Sequence, residues 1–143
     1  MDFFEFREKK ETCGDPQIEE LAFKVIGAAI EVHRIIGPGF NESVYRRALS
    51  HELDLLQVPH ACEYPVPVYY KGLLVGEGRM DLLVDQRLIV ELKCADRLND
   101  VHRAQTISYL QATGFPLALL INFNVAVLKD GIKRIINAKR KPI

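Results

Sequence analysis

Two carboxylates and a lysine lie at a spacing that could bring them together. Asp81 is followed ten residues later by the sequence Glu91-Leu92-Lys93. If residues 85–87 form the loop of a hairpin, counting back from the loop places Asp81 directly opposite Glu91, with Cβ atoms about 5 Å apart. Glu91 and Lys93 are two residues apart on one strand, so they share its face. The three side chains are therefore expected to converge on one side of the hairpin.

This arrangement predicts a site for a divalent metal ion. Carboxylates as close as Asp81 and Glu91 repel each other unless a cation lies between them, and Mg²⁺ or Mn²⁺ prefers such oxygen ligands. Lys93 could then orient or activate a water molecule, or stabilise charge on a phosphate. An acid and a lysine on an exposed strand face are also common without any function, so the spacing of Glu91 and Lys93 alone decides little.

Polar residues on two predicted helices support the prediction of a metal site. Glu42 is in the first turn of one helix, where the helix dipole by itself would also favour an acid. Gln105 and Tyr109 are four residues apart on another helix and face the same way. This pair could contact a nucleic-acid backbone or brace Lys93. For Tyr109, a half-buried helix face with a satisfied hydroxyl explains the pattern equally well.

The elements that must position these residues follow from hydrophobic periodicity. Helical spacing from Ile18 to Ile36 predicts a first helix that ends at Gly37-Pro38-Gly39, and a second helix begins after Asn41 as N-cap. Later segments predict strands over 64–70, 73–77, 79–84 and 88–93, a helix over 101–113, and strands over 117–123 and 132–136. The order α-α-β-β-β-β-α-β-β indicates an α/β fold with helices against one sheet.

The hairpin that carries the charged residues has a second, wholly apolar face. This face must point into the core, and it consists of Leu82, Val84, Leu88, Val90 and Leu92. Pro65 and Pro67 predict that the strand over 64–70 lies at an edge of the sheet, and Gly76 and Gly78 suggest a bend or a bulge.

Composition bounds the remaining possibilities. A chain of 143 residues fits one domain, expected over 16–137, with a loose arm at 1–15 and a basic tail at 138–143. A net charge of zero argues against a protein that coats nucleic acid by charge alone. The three cysteines have no C-x-x-C spacing, so neither a disulfide framework nor a zinc knuckle is suggested. Without a signal peptide or an apolar run of membrane length, a soluble cytoplasmic protein is expected.

Taken together, these segments resemble the PD-(D/E)XK nuclease superfamily. The similarity is to its RecB-like branch, whose pattern is a helix glutamate, G-x-x-D, (D/E)-x-K and Q-x-x-x-Y. Within it, the segment Gly39–Tyr45 resembles the small bacterial proteins called the GxxExxY family, and the likeness runs from Ile18 to Asn137. Met80 stands where the superfamily name has proline, but Gly78 supplies the glycine of the RecB-like motif. The resemblance implies a restriction-endonuclease-like fold, a mixed central sheet flanked by helices.

The resemblance also implies roles for single residues. By this resemblance, Asp81 and Glu91 would be the metal-binding carboxylates and Lys93 the catalytic lysine. Glu42 would be an auxiliary acid at the metal, and Gln105 and Tyr109 would be the helix pair beside the site. Some RecB-like nucleases have a metal-binding histidine on an early helix, which would be His33. That residue shares a face with Ala22, Ile26 and Ala29, so a core histidine is the favoured interpretation.

We therefore expect a nuclease that hydrolyses phosphodiester bonds with Mg²⁺ or Mn²⁺, and the resemblance favours DNA over RNA. The basic segment Lys139, Arg140 and Lys141 would follow the substrate backbone, and a homodimer is possible. The alternative is a catalytically silent module that binds nucleic acid or a protein partner. The small size and zero net charge favour the module, whereas the complete set of core site residues disfavours it. A third possibility is an enzyme that acts on a small-molecule phosphate. It is disfavoured because the sequence has no Gly-rich phosphate-binding loop.

Overall fold

The computed structural model describes residues 12–137. It contains helices α1 (Pro16–Ile36) and α2 (Glu42–Leu55), strands β1 (His60–Tyr70), β2 (Leu73–Val84) and β3 (Leu88–Lys93), helix α3 (Asp100–Thr113), strand β4 (Leu117–Asn122), a 3₁₀ turn (Leu128–Gly131) and strand β5 (Ile132–Ile136). Most of the predicted N-terminal arm, and the basic tail with Lys139, Arg140 and Lys141, lie outside the described residues. None of the helices in 12–137 is both long enough and apolar enough to cross a membrane.

The strands form one mixed sheet in the order β1-β2-β3-β4-β5. Neighbouring strands are antiparallel except β3 and β4, which are parallel. A parallel pair needs a crossover connection, and α3 supplies it between β3 and β4. The result is a mixed α/β fold consistent with the predicted restriction-endonuclease-like architecture.

Both faces of the sheet are covered by apolar packing. The five residues of the predicted core face are fully buried in one cluster with α1 and α2. On the opposite face, Leu83 and Ile89 pack with Leu110 of α3 and Leu120 of β4 in a second cluster. Strands β3 and β4 are therefore buried on both sides, which explains why each is a nearly continuous apolar run.

Strand β2 differs from its prediction. Two segments were expected over 73–77 and 79–84, but one strand runs through Gly76 and Gly78 from residue 73 to residue 84. The predicted irregularity is a bulge: Val68 pairs with Gly76 and Tyr69 with Leu74, so the chain absorbs one extra residue without ending the strand. The middle of the chain thus has three strands where four were predicted. Strand β1 is an edge strand, as its prolines indicated.

Gly78 allows helix α3 to approach β2. A Cβ atom on this glycine would lie 2.7 Å from Cε1 of Tyr109, closer than real contacts permit. The Tyr109 hydroxyl also accepts a hydrogen bond from the Arg79 N–H at 3.3 Å. The glycine of the G-x-x-D segment therefore has a packing reason, since it makes room for a ring from the helix that lies over the sheet.

We expect Gly78→Ala to destabilise the protein by about 1–3 kcal/mol, because either the β2 backbone or the Tyr109 ring must shift. Urea unfolding measures the loss. Gly76→Ala is a matched control on the same strand, where an added Cβ meets no atom within 4 Å. Equal losses from the two variants would show that the contact with Tyr109 does not limit the packing of α3.

Candidate active site

The two carboxylates lie where β2 and β3 part from each other. The antiparallel register pairs Leu82 with Val90, and one more step places Asp81 opposite Glu91, as predicted. At this position, hydrogen bonds from backbone N–H groups to side-chain carboxylates take the place of the backbone–backbone hydrogen bonds between the strands. The Asp81 N–H donates to Glu91 Oε1 at 2.9 Å, and the Leu92 N–H donates to Asp81 Oδ2 at 2.7 Å. Each carboxylate therefore accepts a hydrogen bond from the strand that carries the other.

Burial and mutual repulsion raise the pKa of the acids at this site. Glu91 is 2% exposed, and burial, followed by the charge of Asp81, raises its pKa to about 8. Burial also raises the pKa of Asp81, although the hydrogen bond from the Leu92 N–H and the charge of the Lys93 ammonium both lower it. The pKa of Glu42 is raised by burial and by Asp81, and Lys93 opposes this. Three acids and one lysine therefore lie within electrostatic reach of one another.

Lys93 is braced by helix α3. Its Nζ donates to Gln105 Oε1 at 3.1 Å, which is one of the two contacts expected for the helix pair. Tyr109 turns instead to Gly78 and Arg79 of β2, so its hydroxyl is satisfied and its ring is half-buried. The two residues of the Q-x-x-x-Y pattern thus contact different partners, and a nucleic-acid contact by Tyr109 stays a prediction.

A buried tyrosine places Glu42 at the site. Asn41 caps α2 by accepting from the Val44 N–H, which puts Glu42 at the first helical position. One turn later, the hydroxyl of the fully buried Tyr45 donates to Gly37 O at 2.6 Å. This bond ties the start of α2 to the end of α1. The tyrosine of the G-x-x-E-x-x-Y segment therefore orients the helix that carries the glutamate.

His33 is held inside the core. Its Nε2 lies 2.8 Å from the carbonyl oxygen of Val125, its ring centroid lies 6.3 Å from that of Phe123, and only 8% of the residue is exposed. A histidine whose ring nitrogen is bonded to a backbone carbonyl fits the core interpretation that its position on α1 favoured.

Two charged residues join the site without having been predicted. Arg46 lies one turn after Glu42 on α2, and its charge lowers the pKa of both Glu42 and Asp81. Glu63 of β1 raises the pKa of Asp81, and its Oε1 is 3.8 Å from Arg46 Nη2. The i,i+4 spacing to Glu42 could have revealed Arg46. No local signal could have revealed Glu63, because its place depends on how β1 pairs with β2.

The acids fit a divalent cation in chemistry, although they do not form a closed cage. Within residues 12–137, no three His, Cys, Asp or Glu side chains are arranged to hold a metal ion. Asp81 Oδ2 and Glu91 Oε1 are occupied by backbone N–H groups, whereas Asp81 Oδ1 and Glu91 Oε2 accept no hydrogen bond from the described residues. A buried and a half-buried carboxylate that repel each other, with one open oxygen each, suit a hard cation. Glu42 is the further acid within electrostatic reach.

The raised pKa of Glu91 predicts that stability falls as pH rises. A carboxyl whose pKa is higher in the folded state binds more protons there, so the free energy of unfolding decreases between about pH 4.5 and pH 8. Each pKa unit corresponds to about 1.4 kcal/mol. We expect Glu91→Gln to flatten this dependence and to raise Tm at pH 8 by several degrees, while it keeps an oxygen for the Asp81 N–H.

Thermal unfolding from pH 5 to pH 9 without divalent ions measures this effect. Glu77→Gln, which neutralises an exposed acid of the same sheet, is the control and should leave the pH dependence almost unchanged. Parallel profiles for the wild type and Glu91→Gln would mean that Glu91 ionises normally in the folded protein.

The comparison with known families agrees with this geometry. The family model described as the PD-(D/E)XK nuclease superfamily matches residues 19–135, which include β1 to β4 in full and nearly all of α1 and β5. No curated protein and no solved structure matches the chain. The matched range covers most of the chain, so the protein belongs to the PD-(D/E)XK nuclease superfamily, and it contains Glu42, Asp81, Glu91 and Lys93.

Proposed function

We propose that this protein is a metal-dependent nuclease that hydrolyses phosphodiester bonds, with DNA as the preferred substrate. The observation that carries the proposal is that Asp81 and the buried Glu91 each accept a backbone hydrogen bond from the other's strand beside Lys93, because adjacent acids that repel each other have a use when a cation joins them. Membership of the nuclease superfamily supports it. The finer assignment to the GxxExxY family rests on the segment Gly39–Tyr45.

Asp81 and Glu91 would hold Mg²⁺ or Mn²⁺, with Glu42 as a third donor. When bound, the ion would draw electron density from a phosphoryl oxygen and promote ionisation of water. The burial of Glu91 limits access of bulk water to its carboxylate, which strengthens its interactions with neighbouring charges. The raised pKa of Glu91 also means that cation binding would release protons, so affinity would increase with pH.

Lys93 would act on the phosphate and the attacking water. Within residues 12–137, its ammonium bonds to the neutral amide of Gln105 and forms no ion pair with Asp81 or Glu91. The positive charge therefore remains available for a substrate oxygen, and the amide holds it beside the acids. Hydrolysis requires such a donor, because negative charge accumulates on the phosphoryl oxygens in the transition state.

A catalytically silent module that binds nucleic acid or a protein partner is the second candidate. The specific observation in its favour is that no ready three-residue metal group exists in the described part of the chain. If the protein binds nucleic acid, with or without cleavage, Tyr109 and the basic segment Lys139–Lys141 would contact it, and the basic segment would add affinity that weakens with salt. Metal binding at Asp81 and Glu91 separates the two candidates.

Asp81→Asn should weaken Mn²⁺ binding and abolish cleavage, because it removes one of the two adjacent carboxylates. Calorimetry measures the binding. Cleavage is measured on linear, circular and single-stranded DNA and on RNA, with Mg²⁺, Mn²⁺ or a chelator. Metal-dependent cleavage that disappears in the variant would establish the nuclease. Mn²⁺ isotherms that are identical for the two proteins would place any metal elsewhere.

Lys93→Ala should keep the fold and most of the Mn²⁺ affinity, but lower kcat roughly 100-fold or more, because a cation facing the transition state is lost. Lys133→Ala, which removes an exposed lysine from β5, is the control and should retain kcat. Circular dichroism and calorimetry verify folding and metal binding. Unchanged turnover in the Lys93 variant would remove this lysine from the mechanism.

A further inference from the structure

Arg46 has hydrogen-bond donors that the described structure does not use. It is one helical turn after Glu42, so the two side chains share a face of α2. Only 21% of its side chain is exposed, yet within residues 12–137 its guanidinium donates no hydrogen bond. Its one described ion pair is the loose contact with Glu63 at 3.8 Å. None of the Arg46 nitrogens is among the buried atoms of residues 12–137 that lack a partner, so its five N–H donors are open to solvent and to an incoming acceptor.

The backbone of β1 is distorted where it meets this arginine. Glu63 has φ 52°, in the left-handed region that a glutamate rarely adopts, although it lies within a strand. Its neighbours Cys62 and Tyr64 pair with Leu82 and Met80, the two residues that flank Asp81. The distortion is therefore at the level of the active-site aspartate. Such strain costs about 1 kcal/mol or more and tends to occur at functional sites.

The charge balance of the site indicates what Arg46 could bind. Glu42, Asp81 and Glu91 would together repel a phosphodiester, so substrate binding needs cations beyond those that neutralise the acids. Lys93 is one such cation. The planar fork of an arginine matches two phosphate oxygens better than an ammonium does. The positive charge of Arg46 already reaches Glu42 and Asp81, which places it beside the same acids.

We propose that Arg46 is a further catalytic residue, which binds the non-bridging oxygens of the scissile phosphate, and that Glu63 is a positioning residue, which holds the guanidinium in place until substrate replaces it. The inference rests on the proposed nuclease function.

During hydrolysis, a bond forms from the water oxygen to phosphorus while the bond to one ester oxygen breaks. The water protons pass to the leaving oxygen and to solvent. Arg46 gives up no proton and stabilises the charge on the oxygens that do not react.

Cleavage by Arg46→Gln tests the catalytic part, with Arg47→Gln as the matched control. Arg47 is the next residue of α2, is exposed and carries the same charge. At saturating DNA and Mn²⁺, we expect kcat to fall roughly 100-fold in the Arg46 variant, as for loss of a transition-state donor. The Arg47 variant should retain kcat. Arg46→Lys keeps the charge without the fork and should be intermediate. Equal kcat values for the Arg46 and Arg47 variants would overturn the proposal.

Binding to DNA separates this inference from the nuclease proposal. The fluorescence anisotropy of a labelled oligonucleotide is measured with Ca²⁺ in place of Mn²⁺. Arg46→Gln should weaken binding about tenfold, the equivalent of one charged hydrogen bond. Glu63→Gln should strengthen it, because the competing carboxylate is gone. A purely structural ion pair would make both variants weaker, and that result overturns the proposal.

The two assays together distinguish the outcomes. If the wild type binds DNA but cleaves none, the nuclease proposal fails, while opposite effects of the Arg46 and Glu63 variants on affinity would still support the phosphate contact. If the wild type neither binds nor cleaves, both proposals are overturned. Circular dichroism of each variant shows whether an effect comes from loss of the folded state.

Discussion

The placement of one buried and one half-buried carboxylate side by side on β3 and β2 is the constraint on which the rest of the structure depends. Taking a charged carboxylate out of water is costly unless hydrogen bonds or an opposite charge compensate. The backbone N–H groups of Asp81 and Leu92 compensate in part, and the remaining cost is visible in the raised pKa values of Asp81 and Glu91. The site is therefore unfavourable on its own, and apolar clusters on both faces of the sheet must stabilise it.

The helices bring further charges to this pair through specific packing contacts. Tyr45 ties the start of α2 to the end of α1, and α2 presents Glu42 and Arg46 on one face. Helix α3 lies over β2, where Gly78 leaves room for its tyrosine, and it presents Gln105 to Lys93. The motif thus mixes two kinds of residue. The acids and the lysine meet at the candidate site, whereas the glycine of G-x-x-D and the tyrosines of both helical patterns hold the elements that bring them there.

Under the proposed function, this arrangement would allow a chain with no net charge to act on a polyanion. A uniformly basic surface is not required when cations stand beside the reacting group, because charges at short range in a poorly solvated site are weakly screened. Under the two proposals, Lys93 and Arg46 would be such cations, and both lie within electrostatic reach of the acids. The same closeness explains why the charges of Lys93, Arg46 and Glu63 each affect the pKa of Asp81.

Local chemistry in the sequence was enough to determine the hairpin of β2 and β3. A three-residue loop and the two-residue period of a strand placed Asp81 opposite Glu91 and assigned the buried face without any long-range information. The helix limits at Gly37 and Gly114 followed from the same kind of local signal. Only the tertiary structure decided that residues 73–84 form one strand, since a bulge is defined by the partner strand. It also brought Arg46 and Glu63 to the site, because the position of β1 depends on pairing between distant segments. The left-handed backbone conformation of Glu63 is likewise not predicted by any pattern in the sequence.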